Sequence, residues 1–172
     1  MYVSDSIKQR INFTVKGVAL TVVLISPFVW LFHYYSIGID PQVETCLPFR
    51  MYLYEKQLSG EIKPGDYVTF IMDNRGKPFF PPGQMFLKKV IASEGDTVEI
   101  KDGVLYINGK QTKYVSKHNA ERMNRSIESF DAQLTLKKGE WWVMGTHPNS
   151  FDSIYWGVLH KHQVVGHAYP GV

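Results

Sequence analysis

From residue 17 to residue 39 the chain runs through apolar positions with no charge to interrupt them; after Pro48 it changes to short alternating stretches broken by turn residues. The first pattern predicts a helix across a bilayer, for which roughly 20 residues suffice at about 1.5 Å each. Pro27 falls mid-run and predicts a kink, which membrane helices tolerate. Trp30, His33, Tyr34 and Tyr35 crowd the far end as an interfacial aromatic belt does. Lys8, Arg10 and Lys16 precede the run, while Asp40 and Glu44 come after it. The positive-inside rule therefore puts residues 1–16 in the cytoplasm and residues 40–172 on the far side. A cleaved signal would have a shorter apolar core and a small-residue cleavage site; bulky aromatics close this one, so it reads as an uncleaved anchor.

The second pattern predicts an all-β domain of short antiparallel strands. Tyr67 to Met72, Met85 to Ala92, Thr97 to Ile100, Val104 to Ile107, Glu140 to Met144 and Val164 to Ala168 each read as strands. Asp102-Gly103 and Asn108-Gly109 mark hairpin turns, because both pairs tolerate positive φ. Residues from about 115 to 134 carry charges of both signs with little periodicity and predict an inserted segment. The only helix expected in the domain is a short one after Asn149 or Val158.

Composition then narrows the function. A net charge of +3 with scattered basic residues argues against nucleic acid as a partner class. No Cys-x-x-Cys or Cys/His zinc spacing occurs and His160-x-His162 lacks a third ligand, so neither metal nor cofactor is expected. Cys46 is the single cysteine and cannot form an internal disulfide. By composition it is a packing residue, a redox-sensitive thiol or a nucleophile.

Two boxes decide among these. One reads Phe86-Leu87-Lys88-Lys89-Val90-Ile91-Ala92-Ser93-Glu94-Gly95-Asp96; the other reads Gly145-Thr146-His147-Pro148-Asn149-Ser150-Phe151-Asp152-Ser153-Ile154-Tyr155-Trp156-Gly157. Together they resemble the signature boxes of type I signal peptidases, roughly Lys-Arg-Val-x-Gly-x-x-Gly-Asp and Gly-Asp-Asn-x-x-x-Ser-x-Asp-Ser-x-x-Trp-Gly. That family's nucleophile box, Ser-x-Pro, lies just after a membrane anchor; here Cys46-Leu47-Pro48 stands at that place. The resemblance implies a signal-peptidase-like catalytic domain, Cys46 as nucleophile, Lys88 as general base, and Ser150 and Asp152 in support. Pro48, Gly145 and Asn149 complete the boxes. Cys46-Leu47-Pro48-x-x-x-Tyr52 is most similar to the conjugal-transfer pilin-maturation peptidases (TraF type), with Arg50 where they have glycine. That resemblance implies an endopeptidase or transpeptidase in a bacterial inner membrane, with its catalytic domain in the periplasm. Its expected partners are an exported precursor such as a prepilin, the lipid bilayer and conjugative secretion components.

The chemistry is consistent with those residue types. A lysine base must be neutral near pH 7, although free lysine titrates at about 10.4, so its site has to desolvate it. Adjacent strand residues face opposite ways, so Lys88 can be buried while Lys89 is solvated. A thiol titrates at about 8.5 and is easier to activate than a hydroxyl. Two departures stand out: Glu44 occupies the place of a helper hydroxyl for the oxyanion, and Ile154 replaces a frequent arginine, removing an expected salt bridge to Asp152. The competing readings are an inactive scaffold of a type IV secretion apparatus and a Cys/His peptidase with His147 as base.

Overall fold

The computed structural model describes residues 5–40 and 45–171. The chain divides into two units, Met1–Ser36 and Ile37–Val172. The first is dominated by α1 (Asp5–Tyr34), with Pro27 inside it. Within α1 the segment Ile7–Tyr34 is long and apolar enough to cross a membrane, and none of its apolar window is buried against protein. Val18, Leu24, Phe28 and Trp30 are all more than half exposed. An apolar surface this continuous marks a membrane or an interaction partner rather than water.

The apolar run does not remain helical to residue 39. Tyr35–Ile39 is a strand, β1. Ile37 and Ile39 are β-branched and Gly38 is a poor helix former, which favours the extended state. Gly38 is also a steric requirement, since a Cβ there would lie 2.2 Å from the Tyr52 ring.

The second unit is built from ten further strands: β2 (Met51–Glu55), β3 (Tyr67–Ile71), β4 (Met85–Ala92), β5 (Thr97–Lys101), β6 (Val104–Ile107), β7 (Lys110–Tyr114), β8 (Ala132–Thr135), β9 (Glu140–Met144), β10 (Leu159–His160) and β11 (Val164–Pro170). Together with β1 they form a seven-stranded sheet ordered β1-β2-β11-β3-β4-β9-β10 and a four-stranded sheet ordered β7-β6-β5-β8. Strands β2 to β11 pair antiparallel. The core holds Val68, Phe70, Val90, Val98, Leu105, Trp142 and Leu159, all at most 2% exposed. Burying each such side chain stabilises the fold by about 1.5–3 kcal/mol.

The expected strands and both hairpin turns are present. Asp102 and Asn108 adopt φ of 50° and 51°, each preceding a glycine with positive φ, the geometry of a two-residue hairpin turn. One expectation fails. A helix does precede Asn149: α2 (Lys117–Arg122) lies inside the weakly patterned segment expected as an insertion. Ser116 caps it, its Oγ accepting the Asn119 N–H at 3.4 Å. A six-residue helix is too short to show periodicity, whereas its cap is readable. The same segment ends in β8, which pairs with β5 and closes the second sheet. A second short helix, α3 (Ser153–Trp156), comes after the Asn149 turn as expected.

Candidate active site

Lys88 is central on β4, paired with Val68 of β3. Alternation along β4 buries Lys88, Val90 and Ala92 on one face. Lys88 is 4% exposed, and its Nζ donates to Ser150 Oγ at 2.8 Å. Lys89 points the other way, half-buried, its Nζ 5.8 Å from the centre of the Tyr67 ring. The chain thus separates two neighbouring amines by strand pleat alone.

Ser150 is buried and held by its turn, its N–H donating to the His147 carbonyl at 3.0 Å. Asn119 from α2, itself buried, donates its side-chain amide to the carbonyls of Asn149 at 3.1 Å and Ser150 at 3.4 Å. Ser116 Oγ hydrogen-bonds Asn149 Oδ1 at 2.6 Å. The segment expected as an insertion is therefore a buttress for the box. Ser153 Oγ accepts the Val143 N–H at 3.0 Å, tying α3 to β9.

The Cys46 residue is fastened to the same turn through its carbonyl, which accepts the N–H of Thr146 at 2.8 Å, that of His147 at 3.4 Å and the Thr146 hydroxyl at 3.2 Å. Thr146 is thus the residue that grips Cys46, through both its N–H and its hydroxyl. Gly145 makes this possible: a Cβ there would lie 2.3 Å from Ser150 Oγ and 2.7 Å from the Cys46 carbonyl oxygen. Leu47 is buried behind it and Pro48 is exposed. Cys46 and Lys88 line one cleft of about 460 Å³, with Phe49, Phe79, Phe80 and Phe151 among its walls. His147 lines it too, its Nδ1 accepting the Asn149 N–H at 3.2 Å. Glu44 lies outside the described residues.

Asp152 finds a partner that the sequence does not name. It is fully buried yet has a cation: Lys113 of β7, 2.9 Å from Oδ2. The salt bridge that Ile154 cannot supply comes instead from the other sheet. Burial pushes the Asp152 carboxyl above its ordinary range, while Lys113 and then Lys88 pull against that shift. Asp152 also caps α3, with Oδ1 accepting the Ile154 N–H at 3.3 Å. Sequence reasoning does not reach Lys113 or Asn119. Only the Ser116 cap signals where Asn119 would sit; nothing local points to Lys113.

The chain is similar to known proteins along most of its length. The family model described as "Signal peptidase, peptidase S26" matches residues 10–170. Signal peptidase I T of Bacillus subtilis (strain 168) is 34% identical over 113 residues, 62% of this chain and 55% of that protein. Signal peptidase I of Bacillus licheniformis is 29% identical over 163 residues, 88% of this chain and 83% of that protein. The chain thus spans about half the length of the first relative and most of the second. A crystal structure of a signal peptidase I from Enterococcus faecalis V583 aligns at a TM-score of 0.39 and 26% identity, over 63% of this chain and 97% of that one. With a family match running from within the apolar helix to the last strand, the chain belongs to the signal peptidase family, peptidase S26.

Proposed function

We propose that this protein is a membrane-anchored endopeptidase that processes exported precursors, with Cys46 as nucleophile and Lys88 as general base. One observation carries the reading: the Lys88 amine is buried and bonded to a hydroxyl, in a cleft that Cys46 also lines. Lys88 Nζ takes the thiol proton and the thiolate attacks the scissile carbonyl. The Cys46 N–H stabilises the oxyanion. Collapse breaks the C–N bond, and the leaving amine takes the proton back from Lys88, leaving an acyl thioester on Cys46. Ser150 holds the amine in direction without adding charge, and Asp152 anchors the turn that carries Ser150. In this reading α1 is the anchor, residues 1–16 are cytoplasmic, and residues 40–172 form the catalytic domain in the periplasm of a bacterial inner membrane.

The finer reading is that the precursor is a conjugative prepilin and that the pilin's own N-terminal amine resolves the thioester, closing a ring. Cys46-Leu47-Pro48-x-x-x-Tyr52 supports it, as does the preference of thioesters for amines over water. Tyr52 lines the cleft. The test is the mass of a processed precursor peptide: a ring is lighter by one water than the hydrolysed fragment. Cys46→Ala should stop processing, and iodoacetamide should block it near neutral pH. His147→Ala should be mild; a dead variant would make His147 the base. A cysteine in the serine position also favours a second reading, an inactive scaffold, which unreactive Cys46 and an uncut precursor would establish.

A further inference from the structure

We propose that Lys113 is a positioning residue of the catalytic site, a cation from the second sheet that fixes the turn lying between nucleophile and base. This rests on the peptidase reading above. Three acceptors surround its Nζ: the Asp152 carboxylate at 2.9 Å, the His147 carbonyl at 3.1 Å and the Gly145 carbonyl at 3.4 Å. Each acceptor belongs to the segment that does the aligning. The His147 carbonyl also takes the Ser150 N–H, and Ser150 holds the Lys88 amine. Thr146, between two of the acceptors, holds the Cys46 carbonyl. One ammonium group thus braces both the grip on Cys46 and the hydroxyl that aims Lys88.

A second observation shows that the strand is built to deliver it. β7 pairs with β6 in register at Lys110 and Gln111, but the register shifts so that Lys113 faces Leu105 and Thr112 is the extra residue. Residues directly opposite in an antiparallel pair point to the same face. Leu105 is fully buried, so the bulge turns Lys113 inward; its side chain is only 14% exposed. Without the bulge Lys113 would face Val104 and point the other way. Bulges re-aim side chains beside functional sites in this manner. Lys113 also does what the usual arginine at the Ile154 position would do, so Ile154 can pack as an apolar core residue.

The test uses the full-length protein in detergent with a precursor peptide. Lys113→Met should lower kcat by about 10²-fold, the cost of a misplaced reacting group, with KM unchanged to within about threefold. Lys113→Arg should recover most of that loss. If Lys113→Met does not fold, Lys113→Gln keeps a donor for the carbonyls and carries the same comparison against Lys113→Arg. A Lys113→Met or Lys113→Gln protein with parental kcat, or a loss confined to KM, overturns the proposal. Hydrogen exchange gives a readout without turnover: Lys113→Met should speed exchange at the Ser150 and Thr146 amides by about tenfold or more and leave β3 and β4 unchanged. A parent that cuts nothing refutes the peptidase reading; unchanged exchange at Ser150 and Thr146 refutes the role of Lys113.

Discussion

A buried lysine and a partly buried one meet the same turn from opposite sheets, and their partners differ. Lys88 on β4 bonds a hydroxyl, whereas Lys113 on β7 is ion-paired to a fully buried carboxylate. An opposite charge favours the charged form of an amine; a hydroxyl adds no charge. In the proposed mechanism these partners suit the two amines to different jobs, proton exchange for Lys88 and holding a loop for Lys113. A buried lysine near a catalytic box is not thereby a base; what it bonds decides.

The largest effect should come from the proposed reacting pair. Lys88→Ala and Cys46→Ala are each expected to reduce processing by about 10⁴-fold or more with little change in Tm. A Lys88→Ala protein retaining a tenth of parental activity would break the comparison by making Lys88 structural. Next comes the exchange of the two partners. Asp152→Ala leaves the Lys113 ammonium buried beside a lost counter-charge, and removing one member of a buried pair costs about 3 kcal/mol or more, roughly 10 °C in Tm. Ser150→Ala should cost about 1 kcal/mol, yet lower kcat by about 10²-fold through the misdirected amine. If calorimetry and kinetics ranked the two variants alike, the division of labour would be wrong.

Carboxylates sharpen the same point through pH. Burial raises Glu55, but hydrogen bonds from the Ser59 hydroxyl and N–H, the Tyr169 hydroxyl and the His167 N–H outweigh it and leave its pKa below the ordinary 4.5. Folded Glu55 binds a proton less readily than unfolded Glu55, so its contribution is complete above pH 4.5 and is lost as pH falls through the lowered value. Asp152 has the opposite sign: its pKa lies above the ordinary 3.8, so ionising it as pH rises through that window costs stability. Thermal unfolding against pH should therefore show a weaker acid limb in Glu55→Gln and a flatter rise-side loss in Asp152→Asn. The smallest effect belongs to Lys89→Met, which removes a cation–π contact to Tyr67 worth about 0.5–1 kcal/mol at such a site and should leave kcat untouched.

Much of this is legible in the chain because it is local. Strand alternation sets Lys88 and Lys89 on opposite faces, Asp-Gly and Asn-Gly place the hairpins, and the apolar run marks α1. The hidden part depends on contacts made across the sheets. Lys113 sits in a polar strand without apolar alternation, and its direction is set by a one-residue bulge that only the pairing with β6 reveals. α2 is six residues long, too short for a periodic signal, and its worth lies in Asn119 reaching carbonyls about 30 residues away in sequence. The box itself suggests a partner for Asp152 at position 154, yet the cation comes from residue 113.

Gly145 carries a practical consequence. The space where its side chain would begin is already filled by the Ser150 hydroxyl and the Cys46 carbonyl. A single methyl at that spot would push the Ser150 hydroxyl and the Cys46 carbonyl away while removing no side chain from the cleft. In the proposed peptidase, Gly145→Ala should uncouple precursor capture from cutting, giving a protein that holds its client long enough for the client to be identified.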